Sequence, residues 1–124
     1  MAKRILIIDD EELIIKTLSK LLEREKFEVL IAKDGQDAMA IVEEENFDLI
    51  IADIRMPGIN GIETVKNIQN ILKSKKLEKA PVIFITGYAD EKMEKEAKSL
   101  APIDYIYKPF DMNDLLGKIR KVLG

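Results

Sequence analysis

The sequence predicts an α/β protein: a (βα)5 chain folded as a five-stranded parallel sheet, doubly wound by helices on its two faces. Two observations carry this expectation. Short apolar runs recur at residues 5–8, 29–32, 49–52, 82–85 and 103–107. Several of them are continuous rather than alternating, as strands buried on both faces require. Each interval between runs carries apolar residues at helical spacing or turn-forming residues, so strands and helices alternate to the end of the chain.

Taken in order, the first run leads into Asp9-Asp10-Glu11 and then a stripe of Ile14, Leu18, Leu21 and Leu22, one face of a helix. After the second run, Asp34-Gly35 marks a turn, and Ala38, Ile41 and Val42 mark a shorter helix. The third run ends at Asp53 and is followed by Pro57-Gly58 and Asn60-Gly61, then by the stripe Ile62, Val65, Ile68 and Leu72. Residues 73–79 are long and basic for a connection, and a solvated helix end is the expectation there rather than a docking patch. Gly87 follows the fourth run, and Asp90 is placed to cap a mostly charged helix with Met93, Ala97 and Leu100 on its apolar side. Asp111 is placed to cap the last helix, whose stripe is Met112, Leu115, Leu116, Ile119, Val122 and Leu123.

Composition narrows the chemistry. The 124 residues suffice for one domain, expected over residues 1–124, with a core of Ile, Leu and Val because aromatics are few and Trp is absent. A net charge of −3, from 20 basic and 23 acidic residues, argues against direct nucleic-acid contact. With no Cys and no His, disulfides, thiolate or imidazole metal sites and Ser-His-Asp catalysis are excluded. The apolar part of the N-terminus is too short for a signal peptide, and no run approaches the ~18 residues that span a bilayer. A cytoplasmic protein without membrane contact is expected.

In a doubly wound sheet the ligand crevice lies beyond the carboxyl ends of the strands. Those ends carry Asp9-Asp10-Glu11, Asp53, Thr86 and Lys108-Pro109. Clustered carboxylates raise one another's pKa unless a cation offsets them. Lys108 supplies one positive charge. A hard divalent ion with oxygen ligands, Mg2+ or alternatively Mn2+, supplies two and leaves positions open for a phosphoryl oxygen. An Asp after a strand is ordinarily a helix cap, and a Thr or Lys there is ordinarily a turn or surface residue. The joint occurrence at one sheet edge sets these residues apart.

Ile7-Ile8-Asp9-Asp10-Glu11, Asp53-Ile54-Arg55-Met56-Pro57-Gly58 with Asn60-Gly61, Thr86-Gly87, and Tyr105-Ile106-Tyr107-Lys108-Pro109-Phe110 together resemble the signatures of response regulator receiver domains of bacterial two-component systems. The resemblance spans essentially the whole chain, in order. It implies a flavodoxin-like sheet of order 2-1-3-4-5 and a non-enzymatic switch. Asp53 is the implied phosphoacceptor, attacking a histidine-bound phosphate. Asp10, Asp53 and the backbone carbonyl of Arg55 are the implied direct ligands of Mg2+, with Asp9 acting through a metal-bound water. Lys108 and Thr86 would take phosphoryl oxygens, Tyr105 would turn inward as Thr86 moves, and the Lys108–Pro109 peptide would be cis. The implied partners are a sensor histidine kinase or phosphotransfer protein upstream. Downstream, the α4–β5–α5 surface would control an effector protein or an output domain outside this sequence.

Two departures bear on mechanism. Arg55 and Tyr88, each two residues beyond a site residue, are long enough to obstruct an in-line water and lengthen the life of phospho-Asp53. Gly87 stands where Ala is more usual and loosens that loop. A haloacid-dehalogenase-type phosphatase also uses an Asp nucleophile at a strand end, but it needs a second acid where this chain has Arg55. A flavodoxin-like flavin or nucleotide binder needs a phosphate cradle after the first strand, where Asp9-Asp10-Glu11 would repel an anion.

Overall fold

The computed structural model describes residues 2–124. The elements are β1 (Arg4–Ile8), α1 (Glu12–Arg24), β2 (Glu28–Ala32), α2 (Gly35–Glu44), β3 (Leu49–Asp53), α3 (Gly61–Ser74), β4 (Val82–Thr86), α4 (Glu91–Lys98), β5 (Asp104–Tyr107) and α5 (Met112–Leu123). Among the described residues the strands form one five-stranded sheet of order β2-β1-β3-β4-β5. Every pairing is parallel. The expected fold class and strand order are those observed.

Residue parity along the strands divides the core into two layers. Ile5, Ile7, Leu49, Ile51, Ile83 and Ile85 meet Leu18 and Leu22 of α1 and Leu115 and Ile119 of α5. Leu6, Ile8, Ile50, Ala52 and Phe84 meet the other three helices through residues such as Val42, Val65, Ile68 and Ala97. Because both parities are buried, the central strands read as unbroken apolar runs. Edge strands β2 and β5 are only partly covered. The register places Ile8 beside Ala52, and Asp53 beside Ile85, so the carboxyl ends of β1, β3 and β4 lie nearly level.

Side chains set the helix starts. Asp34, Asn60 and Asp90 accept from the N–H three residues on, at 2.8, 2.9 and 3.1 Å. Asp111 accepts from both Asn113 and Asp114, at 2.8 and 3.0 Å. These caps satisfy N–H groups that a helix leaves open, and each stabilises by about 1 kcal/mol. Glu11, at the start of α1, makes no such cap.

Two details correct the sequence expectations. The fifth strand begins at Asp104 rather than Ile103. Ile103 donates its N–H to Val82 at 2.7 Å but is 46% exposed, just after Ala101 turns the backbone left-handed at φ 53. Within the basic stretch 73–79, Lys75 is more than a solvated charge. Its ammonium donates to the carbonyls of Val42 and Glu43 at 3.2 and 2.8 Å, closing the open C-terminal end of α2.

Helices α1 and α3 end in Schellman turns. Phe27 donates to Leu22 and Leu77 to Leu72, at 3.0 and 2.9 Å, around the left-handed residues Lys26 (φ 72) and Lys76 (φ 60). A left-handed L-residue costs about 1–2 kcal/mol, more than glycine loses in unfolded-chain entropy. Lys76→Gly is therefore expected to raise stability by roughly 0.5–1 kcal/mol, measured as a higher urea midpoint at unchanged slope. A lower midpoint would contradict this account of the turn.

Candidate functional site

The loops that leave the level strand ends build the site. The β1–β2 ladder extends one residue past β1, since Asp9 donates its N–H to Ala32 at 3.1 Å; this fixes Asp9 at the sheet edge. Its side chain is fully buried. Oδ1 accepts from the Glu11 N–H at 2.9 Å. Asp53 closes β3 and is 5% exposed, while Asp10 is solvent-exposed. Carboxylate oxygens of Asp9, Asp10 and Asp53 all lie within 4.8 Å of one another.

Lys108 reaches into this group from the end of β5. Its ammonium stands 3.1 Å from Asp9 Oδ2, 3.1 Å from Glu11 Oε1 and 3.4 Å from Asp53 Oδ2. The approach to Asp9 is close enough for an ion pair but off the hydrogen-bonding direction, so the buried Asp9 Oδ2 accepts no hydrogen bond. The Lys108–Pro109 peptide is cis.

Burial and the neighbouring Asp9 push the Asp53 carboxyl up to about 6, against the pull of Lys108, with Asp10 adding to the rise. Burial works against the Lys108 ammonium, but Asp9 and Asp53 outweigh it and raise its pKa. One cation is thus too little for these acids. A buried acceptor without a donor, in a cluster of three carboxylates with no nitrogen or sulfur ligand, fits a hard divalent cation.

The loop between β3 and α3 is held by backbone packing. Gly61 donates to Ile54 O at 2.7 Å, and a Cβ at this position would collide with the carbonyl oxygen of Asp53. Only glycine lets α3 begin so close to the end of β3. Across the site, the buried Thr86 hydroxyl accepts from the Tyr88 N–H at 3.2 Å and lies 3.5 Å from the Tyr88 carbonyl, so it is occupied within its own loop. The Arg55 guanidinium sits 4.0 Å above the Tyr88 ring, a cation–π stack that joins the loops after β3 and β4. Asp10, Glu11, Asp53, Arg55, Tyr88 and Lys108 line a cleft of about 710 Å³.

The sequence model of the response regulator receiver domain matches residues 5–120. The chain belongs to this family. Transcriptional regulatory protein CrdR of Helicobacter pylori is 34% identical to this receiver over 121 residues, 98% of this chain and 55% of CrdR. The receiver spans about half the length of the curated relatives it matches. A CheY-like receiver domain protein of Methanospirillum hungatei is 32% identical with a TM-score of 0.88, over 98% of this chain and 93% of that one. A Burkholderia pseudomallei response regulator, solved with a phosphorylated aspartic acid, a calcium ion and citrate, is 25% identical with a TM-score of 0.81; 94% of this chain and 65% of that one align.

Of the residues singled out in the sequence, the receiver brings Asp9, Asp10, Asp53 and Lys108 together. Thr86 lies at the same edge with its hydroxyl turned to Tyr88. Tyr105 is half-buried away from the cleft, against the helix-covered core, with its ring edge-on to Tyr107 at 5.5 Å. Sequence reasoning assigned no role to Glu11, whose tie to Lys108 joins residues 97 apart in the chain. Its position directly after Asp9-Asp10 was the available signal. No helix among the described residues is long and apolar enough to cross a membrane.

The raised Asp53 pKa makes a prediction for the metal-free protein. Unfolded, Asp53 ionises near 3.8; folded, it holds its proton to about 6. Between these values the folded state binds more protons, so this group's contribution to stability falls as pH rises through the window. Asp53→Asn is expected to flatten that decline and to melt above wild type near pH 7 in EDTA. Thermal melts from about pH 4 to pH 7 check this, and equal slopes for the two proteins would refute it.

Proposed function

We propose that Asp53 accepts a phosphoryl group from a histidine of a sensor kinase or phosphotransfer protein, with Mg2+ bound at the acidic cluster. An Asp53 oxygen attacks phosphorus, the P–N bond breaks, and its electron pair stays on the imidazole nitrogen. The product is an acyl phosphate on Asp53. The observation that carries this reading is the buried Asp53 carboxylate, within 4.8 Å of Asp9 and Asp10 and 3.4 Å from Lys108, at the carboxyl edge of a receiver sheet. The phosphorylated aspartic acid and calcium ion in the Burkholderia relative support it.

Asp10, Asp53 and the backbone carbonyl of Arg55 would hold the metal directly, with Asp9 as the outer carboxylate. Mn2+ is the expected substitute for Mg2+. The ion supplies charge neutralisation, which a loose phosphoryl-transfer transition state needs more than covalent help. Lys108 supplies the remaining positive charge, and Thr86 one directed hydrogen bond.

The switch follows from the hydroxyl of Thr86. To reach a phosphoryl oxygen it must give up Tyr88, which removes the polar clasp of the loop between β4 and α4. Tyr105 then has room to move inward, and the population shifts at the α4–β5–α5 face. That face would contact an effector protein or an output domain, in a cytoplasmic pathway without membrane or direct nucleic-acid contact by this domain. The chain acts as a switch rather than a turnover enzyme: the position that needs a second acid for phosphatase turnover holds Arg55, stacked on Tyr88.

Incubation with acetyl phosphate and Mg2+, followed by intact mass, tests the core of this reading. Wild type is expected to gain one phosphate that EDTA prevents, and Asp53→Ala none. Failure of wild type to label, or equal labelling of the variant, would overturn it. The Arg55–Tyr88 stack screens the line along which water must approach phospho-Asp53. Arg55→Asn is expected to shorten the phosphoryl half-life several-fold in a decay assay; an unchanged half-life rejects the screen and leaves the phosphoacceptor in place.

A further inference from the structure

Glu11 is the one acid at this edge that neither the metal cluster nor the phosphoacceptor uses. Its position at the start of α1 would ordinarily commit it to capping, yet its side chain caps nothing. It accepts instead from Lys108 Nζ at 3.1 Å. An ammonium has three N–H groups and no more. Asp9, Glu11 and Asp53, at 3.1, 3.1 and 3.4 Å, surround Lys108 with three carboxylates. Two of those N–H groups are donated, to Glu11 and Asp53, while Asp9 holds the ammonium as an ion pair, so a phosphoryl oxygen arriving at Asp53 competes with these carboxylates for it.

Exposure decides which carboxylate yields most easily. The Asp9 and Asp53 side chains are 0% and 7% exposed, whereas that of Glu11 is 54% exposed. A buried carboxylate stripped of its cation stays unsolvated, which is strongly unfavourable. A carboxylate already half in water replaces the lost ammonium with solvent at little cost. Lys108 therefore surrenders Glu11.

We infer that Glu11 is a positioning residue that parks the Lys108 ammonium in the unphosphorylated receiver, holding the N–H that a phosphoryl oxygen later takes. This rests on the phosphoacceptor reading above. Glu11 opposes phosphoryl capture by the strength of one half-solvated ion pair, so it sets how readily the switch turns on without touching phosphorus or metal.

The test titrates beryllofluoride, a phosphoryl mimic, at saturating Mg2+, followed by amide shifts in NMR. The proteins are wild type, Glu11→Gln, Lys108→Ala, the double variant and Glu12→Gln. Glu12 provides the control charge: it is 83% exposed and pairs with Lys33 at 3.3 Å. Glu11→Gln is expected to bind about two- to five-fold tighter than wild type, the range of a partly solvated ion pair. Glu12→Gln is expected to match wild type, and the Glu11→Gln gain is expected to vanish when Lys108 is absent. Equal or weaker binding by Glu11→Gln overturns the proposal. So does a gain that persists in the Lys108→Ala background, because Glu11 would then act merely as a negative charge. If Lys108→Ala abolishes binding, the control decides, and an equal gain in Glu12→Gln overturns the inference. Wild type that binds no beryllofluoride overturns the phosphoacceptor reading itself, a different result from wild type that binds alongside an unchanged Glu11→Gln.

Discussion

The site is organised by a shortage of positive charge. Lys108 faces Asp9, Glu11 and Asp53 at once, and Asp10 stands close by without it. At neutral pH a buried cluster of this sign is unfavourable, and burial together with Asp9 pushes the Asp53 carboxyl up to about 6 against the pull of Lys108. On the proposed reading, a divalent ion would relieve the repulsion, and the ion and Lys108 together would offset the charge of a phosphoryl group.

The sheet has to hold these acids together against their repulsion. β1 and β3 are neighbours, covered on both faces, and Ile8 at the end of β1 lies beside Ala52, one residue before Asp53. Apolar burial in two layers supplies the driving force that a polar edge lacks. Local chemistry then trims the loops. Gly61 lets α3 start against the Asp53 carbonyl, and Asn60 caps that helix one residue earlier. Glu11 forgoes its cap and turns to Lys108, so the start of α1 is tied to the site.

On the other side of Asp53, polar ties within and between loops replace dense packing. Thr86 is held by Tyr88, and Tyr88 is covered by Arg55. Arg55 and Tyr88 are exposed and Thr86 is buried beneath them, and each of these contacts is weak beside the burial of β4. A loop clasped this way can rearrange while the strand beneath it stays in place. Arg55 and Tyr88, which the sequence sets two residues beyond Asp53 and Thr86, come into contact because the loops they occupy converge over a single cleft.

The alternation of elements, the layering of the core and the residues at the strand ends were legible in the sequence because they follow from periodicity and from one topological rule. Asp90 and Asp111 were legible as caps for the same reason: capping is local. The start of β5 was misjudged by one residue, since an apolar residue at a sheet edge need not be buried, and Lys75 was taken as solvated because its partners belong to another helix. Strand order rested on family resemblance, and the hydroxyl direction of Thr86 and the tie between Glu11 and Lys108 were out of reach of the sequence. By itself the sequence determined which groups stand at the edge of the sheet. The tertiary structure decided which of them touch, because distances between residues 55 or 97 apart in the chain are set by packing rather than by local pattern.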